Sequence, residues 1–464
     1  MRHRALSVVT AVSVLGVGLL VGGAAPSQAG PPGKWTVISG GGVTNIDEPS
    51  MYRTADGVLH VAMVRGGTST DSIDVAHVSP SGQLLGRQAV IDGWQGVTED
   101  PDLVPGVAGG IRLVFGGHTG NTGDPYAEGY VYQASSDPTG TVWSLAPSTQ
   151  PAIGHVSGYA SYGTGSTTLA DGTLVSAYPL NSEIYYQVGA GPVQSFAVDA
   201  CCAYDMAVAS DGVNAWASWY GNGGSGGNQG TLVRQIHPTL GPILQAPQSV
   251  SGGDSLGTSQ AVAMVATSKG IFLAYLKGYP TAKAVVLWKL GTTIVKTVPG
   301  SEGASHVALA AGPGGRLWLA WDTESDDIRA IRTSPSGLKF GAVRDVATPG
   351  SSTVYGVNIE GSSGTGDIVF NDATRIWHTQ VIPGLTLKAS PSKWNGDKAV
   401  EVKFKVTDAG QGVAGAKVKA LGEKCTTAAN GVCTIDFPKL GKGSYQVKAT
   451  LEDYAPAKDK LKVT

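Results

Sequence analysis

Charged residues make up only 15% of this 464-residue sequence, which also has just four cysteines and 7% aromatic residues. Its formal net charge is −2, so the chain as a whole lacks the basic surface that attracts nucleic acid. Zinc, EF-hand and phosphate-loop spacings are absent. We therefore expect no nucleic-acid partner and no cofactor, although calcium held by carboxylates such as Asp47 and Asp100 stays open.

Long hydrophobic runs are also missing, except at the N-terminus. Arg2 and Arg4 form a short basic start, residues 5–21 are apolar, and small residues precede Gly30. This pattern predicts a signal peptide over residues 1–29, and the alternative is a retained membrane anchor. Because no later stretch is long enough to span a bilayer, we expect a secreted, extracellular protein without a membrane span, working as a monomer.

Glycine is abundant, with 67 residues, which suits short strands joined by tight turns. Seven segments share one form, in which a turn glycine is followed by β-forming residues that end in an aromatic or polar group. They begin at Leu59, Ile111, Leu174, Ala215, Ile271, Leu317 and Asp367. Their mean spacing is about 52 residues, the length of a four-stranded propeller blade rather than of a helical repeat. The sequence therefore predicts an all-β fold built on a seven-bladed β-propeller.

The seventh blade lacks a fourth strand, whereas Lys34 to Ile38 form an unpaired strand near the start of the chain. We expect the N-terminal strand to complete that blade, because closure leaves no free sheet edge. An up-and-down barrel or two sandwiches are the alternatives.

Composition changes sharply near Pro383. Residues 30–384 carry 17 Lys and Arg against 27 Asp and Glu, whereas residues 385–464 carry 14 Lys, no Arg and 8 acidic residues. Alternating strands in the second part predict a small β-sandwich. Residues 413–418 and 427–431 resemble Ig-like, carboxypeptidase-regulatory-like modules of secreted bacterial proteins. The predicted organisation is a signal peptide (1–29), a propeller (30–384) and an Ig-like sandwich (385–464).

The four cysteines allow three pairings. Cys425 and Cys433 flank a turn between neighbouring strands, where distances suit a disulfide. That leaves the adjacent residues Cys201 and Cys202. Neighbouring Cα atoms lie closer than in ordinary disulfides, so these two form either a strained vicinal bridge or two buried thiols.

Three stretches carry a family resemblance. Residues 199–212 resemble the paired-cysteine start of a blade in secreted bacterial sialidase-like (BNR, Asp-box) propellers, and residues 99–103 resemble an inner-strand start of such blades. Ser135 to Trp143 is similar to the Asp-box turn, with its glycine displaced by one position. The resemblance covers residues 35–383 and implies a glycan-active propeller.

Sialidases clamp the substrate carboxylate with three arginines and use a Tyr nucleophile with a Glu and an acid/base Asp. Of the ten propeller arginines, only Arg65 occupies a position suited to such a clamp. Two others begin second strands at the opposite face (Arg112 and Arg316), and four lie on third strands nearer the rim (Arg234, Arg329, Arg332 and Arg375). An arginine triad is therefore not predicted, which argues against cleavage of sialic acid.

One face of the predicted propeller collects polar and aromatic residues. They lie just before each inner strand, which is the strand nearest the axis, and just after each second strand. Such a mixture suits carbohydrate, since rings stack on sugars and polar groups bind hydroxyls. The candidate catalytic residues are Glu99, Asp100, Asp205, His306 and Asp322. The candidate substrate-binding residues are Asp47, Arg65, His118, Tyr159, Tyr204, Trp219, Gln260, Tyr275, Trp321 and Tyr355.

Two carboxylates on different blades could act as acid and as base or nucleophile in glycoside cleavage. The favoured interpretation is therefore a sialidase-superfamily glycoside hydrolase that acts on a carbohydrate or cell-wall polysaccharide. One alternative is a polysaccharide lyase, in which Arg65 neutralises a uronate while His118 or His306 and a tyrosine remove a proton. The other is a non-catalytic glycan-binding or adhesion protein.

Overall fold

The structure, a computed structural model, describes residues 32–43, 48–67, 70–97, 100–147, 153–155, 163–180, 182–198, 202–222, 229–249, 262–277, 284–350 and 352–464. These residues form strands and turns, with two single turns of 3-10 helix (Val107–Gly109 and Pro313–Gly315). No helix in this part of the chain is long and apolar enough to cross a membrane. The predicted all-β class is confirmed.

The chain begins with β1 (Thr36–Val37). The first sheet contains β2 (Ser50–Arg53), β3 (Leu59–Gly66), β4 (Asp71–Val78) and β5 (Leu84–Trp94). The second contains β6 (Gly96–Val97), β7 (Asp102–Pro105), β8 (Ile111–His118), β9 (Tyr130–Ser136), β10 (Trp143–Leu145) and β11 (Ile153–His155). The third contains β12 (Gly165–Thr168), β13 (Leu174–Leu180), β14 (Glu183–Val188) and β15 (Gln194–Ala197).

The fourth sheet contains β16 (Cys202–Ser210), β17 (Ala215–Asn222), β18 (Gly230–His237) and β19 (Leu244–Gln245). The fifth contains β20 (Val262–Thr267), β21 (Gly270–Lys277), β22 (Ala284–Lys289) and β23 (Val295–Thr297). The sixth contains β24 (Val307–Ala311), β25 (Leu317–Asp322), β26 (Ile328–Arg332) and β27 (Arg344–Val346). The seventh contains β28 (Gly356–Glu360), β29 (Gly366–Asn371) and β30 (Ile376–Val381) together with β1.

These sheets are arranged as a β-propeller. Within each sheet the strands pair antiparallel, mostly in chain order. The inner strands β2, β7, β12, β16, β20, β24 and β28 contact one another in succession, and β28 contacts β2, so the ring is closed. Apolar side chains fill the spaces between neighbouring sheets, which explains why the second strand β25 is buried along its whole length.

The N-terminal strand completes the seventh sheet, as predicted. Thr36 lies opposite His378 and Val37 lies opposite Trp377, in antiparallel register. Trp35 packs edge-on against Phe370, with ring centroids 4.7 Å apart. The first and last parts of the propeller are therefore joined by backbone pairing as well as by side-chain packing.

The turn between β9 and β10, where the sequence resembles an Asp-box, is held by the Asp137 side chain. The Asp137 carboxylate accepts N–H groups from Thr141 and Val142, and hydrogen bonding, chiefly from Thr139, lowers the pKa of Asp137 to about 2. The displaced glycine, Gly140, has φ +69°, and a Cβ there would lie 2.3 Å from His60 Cε1. Glycine is therefore required at this position.

The C-terminal part is a two-sheet sandwich around a core of its own. One sheet contains β31 (Thr386–Ser390), β33 (Val400–Asp408), β34 (Gln411–Gly412) and β37 (Val432–Phe437). The other contains β32 (Lys393–Trp394), β35 (Lys417–Ala420), β36 (Glu423–Thr426), β38 (Gly443–Thr450) and β39 (Ala457–Val463). Membership of the Ig-like family stays a prediction.

The Cys425–Cys433 disulfide is present, as predicted. Its structural setting differs from the expected neighbouring strands of one sheet, because Cys425 lies in β36 and Cys433 lies in β37, which belong to different sheets. The bridge therefore connects the two layers of the sandwich. Cys202 begins β16, while Cys201 lies outside the described residues, so the vicinal bridge stays a prediction.

The sandwich contacts the sixth sheet of the propeller through a buried ionic group. Arg332 donates hydrogen bonds to the Asp408 carboxylate and, at 3.1 Å, to the Tyr454 hydroxyl. The Arg316 guanidinium lies 3.4 Å from the same carboxylate. Arg332, expected to lie near the rim, is therefore buried between the two parts of the chain.

Candidate functional site

A cavity of about 650 Å³ runs along the propeller axis and is lined by the inner strands of all seven sheets. Carboxylates gather where the inner strands begin, which we call the front end of the cavity. Glu48, Asp100, Asp102 and Asp205 line the cavity there. Aliphatic side chains such as Val265 and Leu309 line it further along the strands. The cavity therefore combines an acidic mouth with partly aliphatic walls.

Asp102 connects three inner strands at the front end. Its Oδ1 accepts the Ser50 hydroxyl at 3.2 Å, and its Oδ2 accepts the Ser166 N–H at 2.6 Å. Ser50 Oγ in turn accepts the Leu103 N–H at 2.9 Å. Removal from bulk water outweighs these hydrogen bonds and raises the pKa of Asp102 to about 7. Asp102 therefore holds its proton through most of the acidic range and can donate it near neutral pH.

Asp100 lies two residues earlier and has left-handed backbone geometry, with φ 60°. Its Oδ1 accepts the Glu48 N–H at 2.6 Å, and its backbone carbonyl accepts the Thr164 hydroxyl at 3.2 Å. Such a backbone conformation costs about 1 kcal/mol or more in a residue other than glycine, so surrounding contacts must maintain it. The predicted catalytic residue Asp100 is therefore held at the cavity mouth, but it also joins the first, second and third sheets.

Asp205 has the same backbone feature, with φ 55°, where the pairing of β16 with β17 is irregular between Tyr204 and Ala207. Its Oδ2 accepts the Val262 N–H of the next inner strand at 2.5 Å, and the side chain is buried. Asp205 thus links the fourth and fifth sheets in the same way as Asp100 and Asp102 link earlier sheets, with a carboxylate that accepts a backbone N–H from a neighbouring segment. It lines the cavity, as the predicted catalytic role requires.

His306, just before β24, forms a pair with Asp322, the last residue of β25. The distance from His306 Nδ1 to Asp322 Oδ2 is 2.8 Å, while Asp322 Oδ1 accepts the backbone N–H groups of Ser305 and His306. A carboxylate at Nδ1 fixes the imidazole orientation and favours the tautomer whose lone pair is at Nε2. The sequence analysis names both as candidate catalytic residues without pairing them, and that role stays a prediction; the structure adds their direct contact.

Three predicted substrate-binding aromatics are core residues instead. Trp219, Tyr275 and Trp321 are fully buried. The Tyr275 hydroxyl donates to Pro247 O at 2.6 Å, and Trp321 Nε1 donates to Gly300 O at 3.1 Å. These side chains pack between neighbouring sheets, so they offer no ring face to a sugar at the cavity mouth.

The other described binding candidates are at least partly accessible. The Arg65 guanidinium is about one-third exposed, and its Nε lies 3.2 Å from Asp74 Oδ2. His118 ends β8 opposite Gly96, and Tyr204 packs against Tyr220. Tyr355 is half-buried. Arg65 is therefore already ion-paired, while the remaining three stay predictions.

Five predicted site residues fall outside the described residues. They are Asp47, Glu99, Tyr159, Gln260 and Cys201. Among the residues that the structure does describe, no group of three or more His, Cys, Asp or Glu side chains is arranged to hold a metal ion.

Sequence reasoning missed Asp102 and its partners Ser50 and Ser166. The segment Glu99 to Leu103 contains three acidic residues, and the sequence analysis names only the first two as candidates. The signal that could have found Asp102 is its place as the first residue of an inner strand, since every residue of β7, from Asp102 to Pro105, lines the cavity.

No family model matches the chain, and no curated protein matches its sequence. Several solved structures are similar to this chain at low identity. A catalytically inactive virginiamycin B lyase from Staphylococcus aureus with quinupristin has 13% identity and a TM-score of 0.46, over 75% of this chain and 99% of that one. The Hadza microbial sialidase Hz136 has 14% identity and a TM-score of 0.41, over 72% and 65% of the respective chains.

The polysaccharide lyase Uly1 has 11% identity and a TM-score of 0.43, over 72% of this chain and 90% of that one. All three TM-scores are below 0.5, and the three proteins have different activities. These similarities carry no argument about the reaction.

Proposed function

We propose that this protein is a glycan-directed glycoside hydrolase whose site is the front end of the propeller cavity. One observation carries the proposal: Asp100, Asp102 and Asp205 border one cavity, and one of them has a pKa of about 7. Glycoside cleavage requires two carboxyl groups in different protonation states, one to protonate the leaving oxygen and one to activate water or attack. The cavity volume is in the range of small-molecule sites.

In this proposal Asp102 is the proton donor. Its hydrogen bonds to Ser50 and Ser166 hold the carboxyl group in one orientation. Asp205 is the proposed base or nucleophile, since its position on a different inner strand lets it approach the sugar from another side. Asp100 holds the segments around Glu48 and Thr164 in place at the mouth of the cavity. The burial of Trp219 and Trp321 means that polar contacts, rather than stacking on these rings, must hold the substrate.

A polysaccharide lyase is the second candidate, favoured by the His306–Asp322 pair. An imidazole oriented by a carboxylate is suited to remove the proton next to a uronate carboxylate. The expected partner Arg65 is already paired with Asp74, which weakens its proposed role in neutralising the uronate.

We also propose the domain organisation expected from the sequence: a signal peptide over 1–29, a propeller over 30–384 and an Ig-like sandwich over 385–464. The Cys425–Cys433 disulfide supports an extracellular location, because such bridges persist in oxidising compartments. The separate hydrophobic core of the sandwich supports the second boundary.

The test is a screen of neutral and uronate-containing polysaccharides with the Asp102→Asn variant. Reducing-end release reports hydrolysis, and absorbance of unsaturated uronates reports lyase activity. For a hydrolase we expect reducing ends without unsaturated products, and a loss of about 100-fold or more in Asp102→Asn. Turnover should fall as pH rises above about 7, because the donor must be protonated.

The matched control is Asp345→Asn, which changes an exposed carboxylate paired with Arg329 at the propeller edge. Both variants should keep the parent melting temperature within a few degrees, since asparagine can still accept the Ser166 N–H. Unsaturated products would favour the lyase. Binding without any turnover would identify a glycan-binding protein, and absence of both would refute the proposal.

A further inference from the structure

The outer face of the five-stranded sheet in the sandwich carries only one sign of charge. Alternate residues of β32, β35, β36, β38 and β39 point away from the core, and eight of the 14 lysines after residue 384 occupy those positions, all exposed. No Asp or Glu shares this set of outward positions. We call it the lysine face.

Many of these lysines lie directly opposite one another. Lys424 faces Lys419, Lys419 faces Lys448, and Lys448 faces Lys458, so one row crosses four adjacent strands. Lys393 faces Lys462 at the other edge of the sheet. Directly opposed side chains lie about 5 Å apart at Cβ, and like charges in such pairs are destabilising.

Nothing within the sandwich neutralises this face. Residues 385–464 are all described, and their internal ion pairs are Lys403 with Glu401 and Lys439 with Asp397. None of the eight lysines forms an ion pair with any residue that the structure describes. The repulsion along the rows is therefore relieved only by solvent and ions, or by an external anion.

The opposite face of the same domain is different. Outward positions of the four-stranded sheet carry Lys388, Lys403 and Lys405, together with Glu401 and Asp436. The concentration of charge on the lysine face is thus specific to one sheet rather than a consequence of a lysine-rich composition.

The propeller leaves the lysine face uncovered. In the described part of the propeller, its side-chain hydrogen bonds to the sandwich involve Asp408 and Gln411, which flank the turn between β33 and β34, and Tyr454, which lies between β38 and β39. The face remains open to a partner while the propeller is attached.

We infer that the lysine face binds an anionic polysaccharide, independently of the propeller cavity. Lysine is a flexible, strongly hydrated point charge, which suits anions at variable spacing along an extended polymer. Long-range attraction to a polyanion would convert the repulsion within the rows into favourable binding energy.

Other polyanions fit the same face less well. The lysine face has no aromatic side chain for stacking bases, and a five-stranded sheet is too broad for a DNA groove. It also lacks the apolar side chains that insert between lipid headgroups. These features favour polysaccharide over nucleic acid and over a membrane.

The experiment measures binding of the full mature chain to polygalacturonate and to dextran sulfate. Neutral dextran is the uncharged control for dextran sulfate. We expect both anionic polymers to bind, dextran not to bind, and affinity to fall as NaCl is raised. The test variant combines Lys419→Glu, Lys448→Glu and Lys458→Glu. It should bind about tenfold more weakly or worse.

The matched control combines Lys388→Glu, Lys403→Glu and Lys405→Glu, which changes the net charge equally on the opposite face. It should bind within about threefold of the parent chain. A Lys→Gln version of the test variant checks the result without introducing negative charge, and melting temperatures confirm folding. The triple lysine variant should give the same products as the parent in the polysaccharide screen, so loss of polymer binding is separable from failure of the cavity proposal.

Equal loss in both triple variants would overturn the inference, since it would reveal only an effect of net charge. So would unchanged binding in the test variants or equal binding of neutral dextran. Tighter binding to double-stranded DNA, or to vesicles containing phosphatidylserine, would likewise replace the polysaccharide with another class of partner.

Discussion

Arg53 and Asp367 form an ion pair between the first and last sheets of the propeller, with Nη2 and Oδ2 2.5 Å apart. Arg53 Nε also donates to Glu360 at 2.7 Å. Asp367 is fully buried and lies 2.9 Å from His378 Nε2. The ring is therefore closed by a buried ionic network as well as by strand pairing.

Asp367→Ala should strongly destabilise the propeller. The substitution leaves Arg53 as an incompletely paired buried cation, which costs about 3 kcal/mol of unfolding free energy. Urea unfolding of the parent and variant measures the difference. Asp345→Ala is the control, because it breaks the exposed pair with Arg329 and should cost no more than about 1 kcal/mol. Equal effects in the two variants would show that the buried network does not stabilise the closure.

Removal of the N-terminal strand should destabilise the whole ring. A chain that starts at Ser39 loses β1 and the packing of Trp35 on Phe370, and it exposes the edge of β30. We expect a lower melting temperature and more aggregation than in a chain that starts at Gly33. Identical melting of the two chains would contradict closure by this strand.

Asp408→Ala should weaken the attachment of the sandwich to the propeller. Arg316 and Arg332 then lose their shared carboxylate in a largely buried contact, at a cost of about 3 kcal/mol. Calorimetry should show a lower melting temperature, whereas the exposed Asp436→Ala change should have little effect.

A chain that ends at Pro383 should still fold, since the propeller cores are separate from the sandwich core. It should melt at a lower temperature than the full chain, because Arg316 and Arg332 lose Asp408.

The buried His60–His77 pair should make folding sensitive to acid. Their Nδ1 atoms lie 2.9 Å apart, an arrangement that requires one neutral ring, and burial is the main cause that lowers the pKa of His60 to about 4. Between pH 4 and 6.5 the unfolded chain therefore binds more protons than the folded chain. The free energy of unfolding should fall as pH decreases through this range, by about 2 kcal/mol for His60.

Unfolding free energies at pH 7 and pH 4.5 test this effect in the parent and in His60→Gln. Asp102 acts in the opposite direction, because its raised pKa makes the folded state bind more protons and lose stability as pH rises toward 7. The informative quantity is therefore the difference between the two proteins. An equal pH dependence in both would rule out His60 as a contributor.

Much of the architecture was predictable from local patterns. Turn glycines, β-forming segments about 52 residues apart and an unpaired strand at Lys34 were enough to predict a propeller and its closure. Cys425 and Cys433 were close enough in sequence to be paired. These features are readable because strand alternation and turn geometry depend on neighbouring residues.

The candidate site was predictable only in part. Asp100, Asp205, His306 and Asp322 were selected from their positions before inner strands or after second strands, and the first two do line the cavity. The sequence analysis names Trp219, Tyr275 and Trp321 as substrate-binding residues, but sheets in a propeller are covered on both faces, so these side chains at the ends of second strands lie in the core. A local pattern does not reveal what covers a strand.

The sequence by itself determined the class of fold, the closure by the N-terminal strand and the one observed disulfide, since each depends on short-range spacing. Only the tertiary structure decided that Asp102 has a pKa near 7, because that value arises from inner strands far apart in the chain enclosing one carboxyl group. Only the tertiary structure likewise showed that Arg332 is buried and that the lysines form rows. Burial and charge proximity are properties of the assembled sheets, and residues distant in sequence create them.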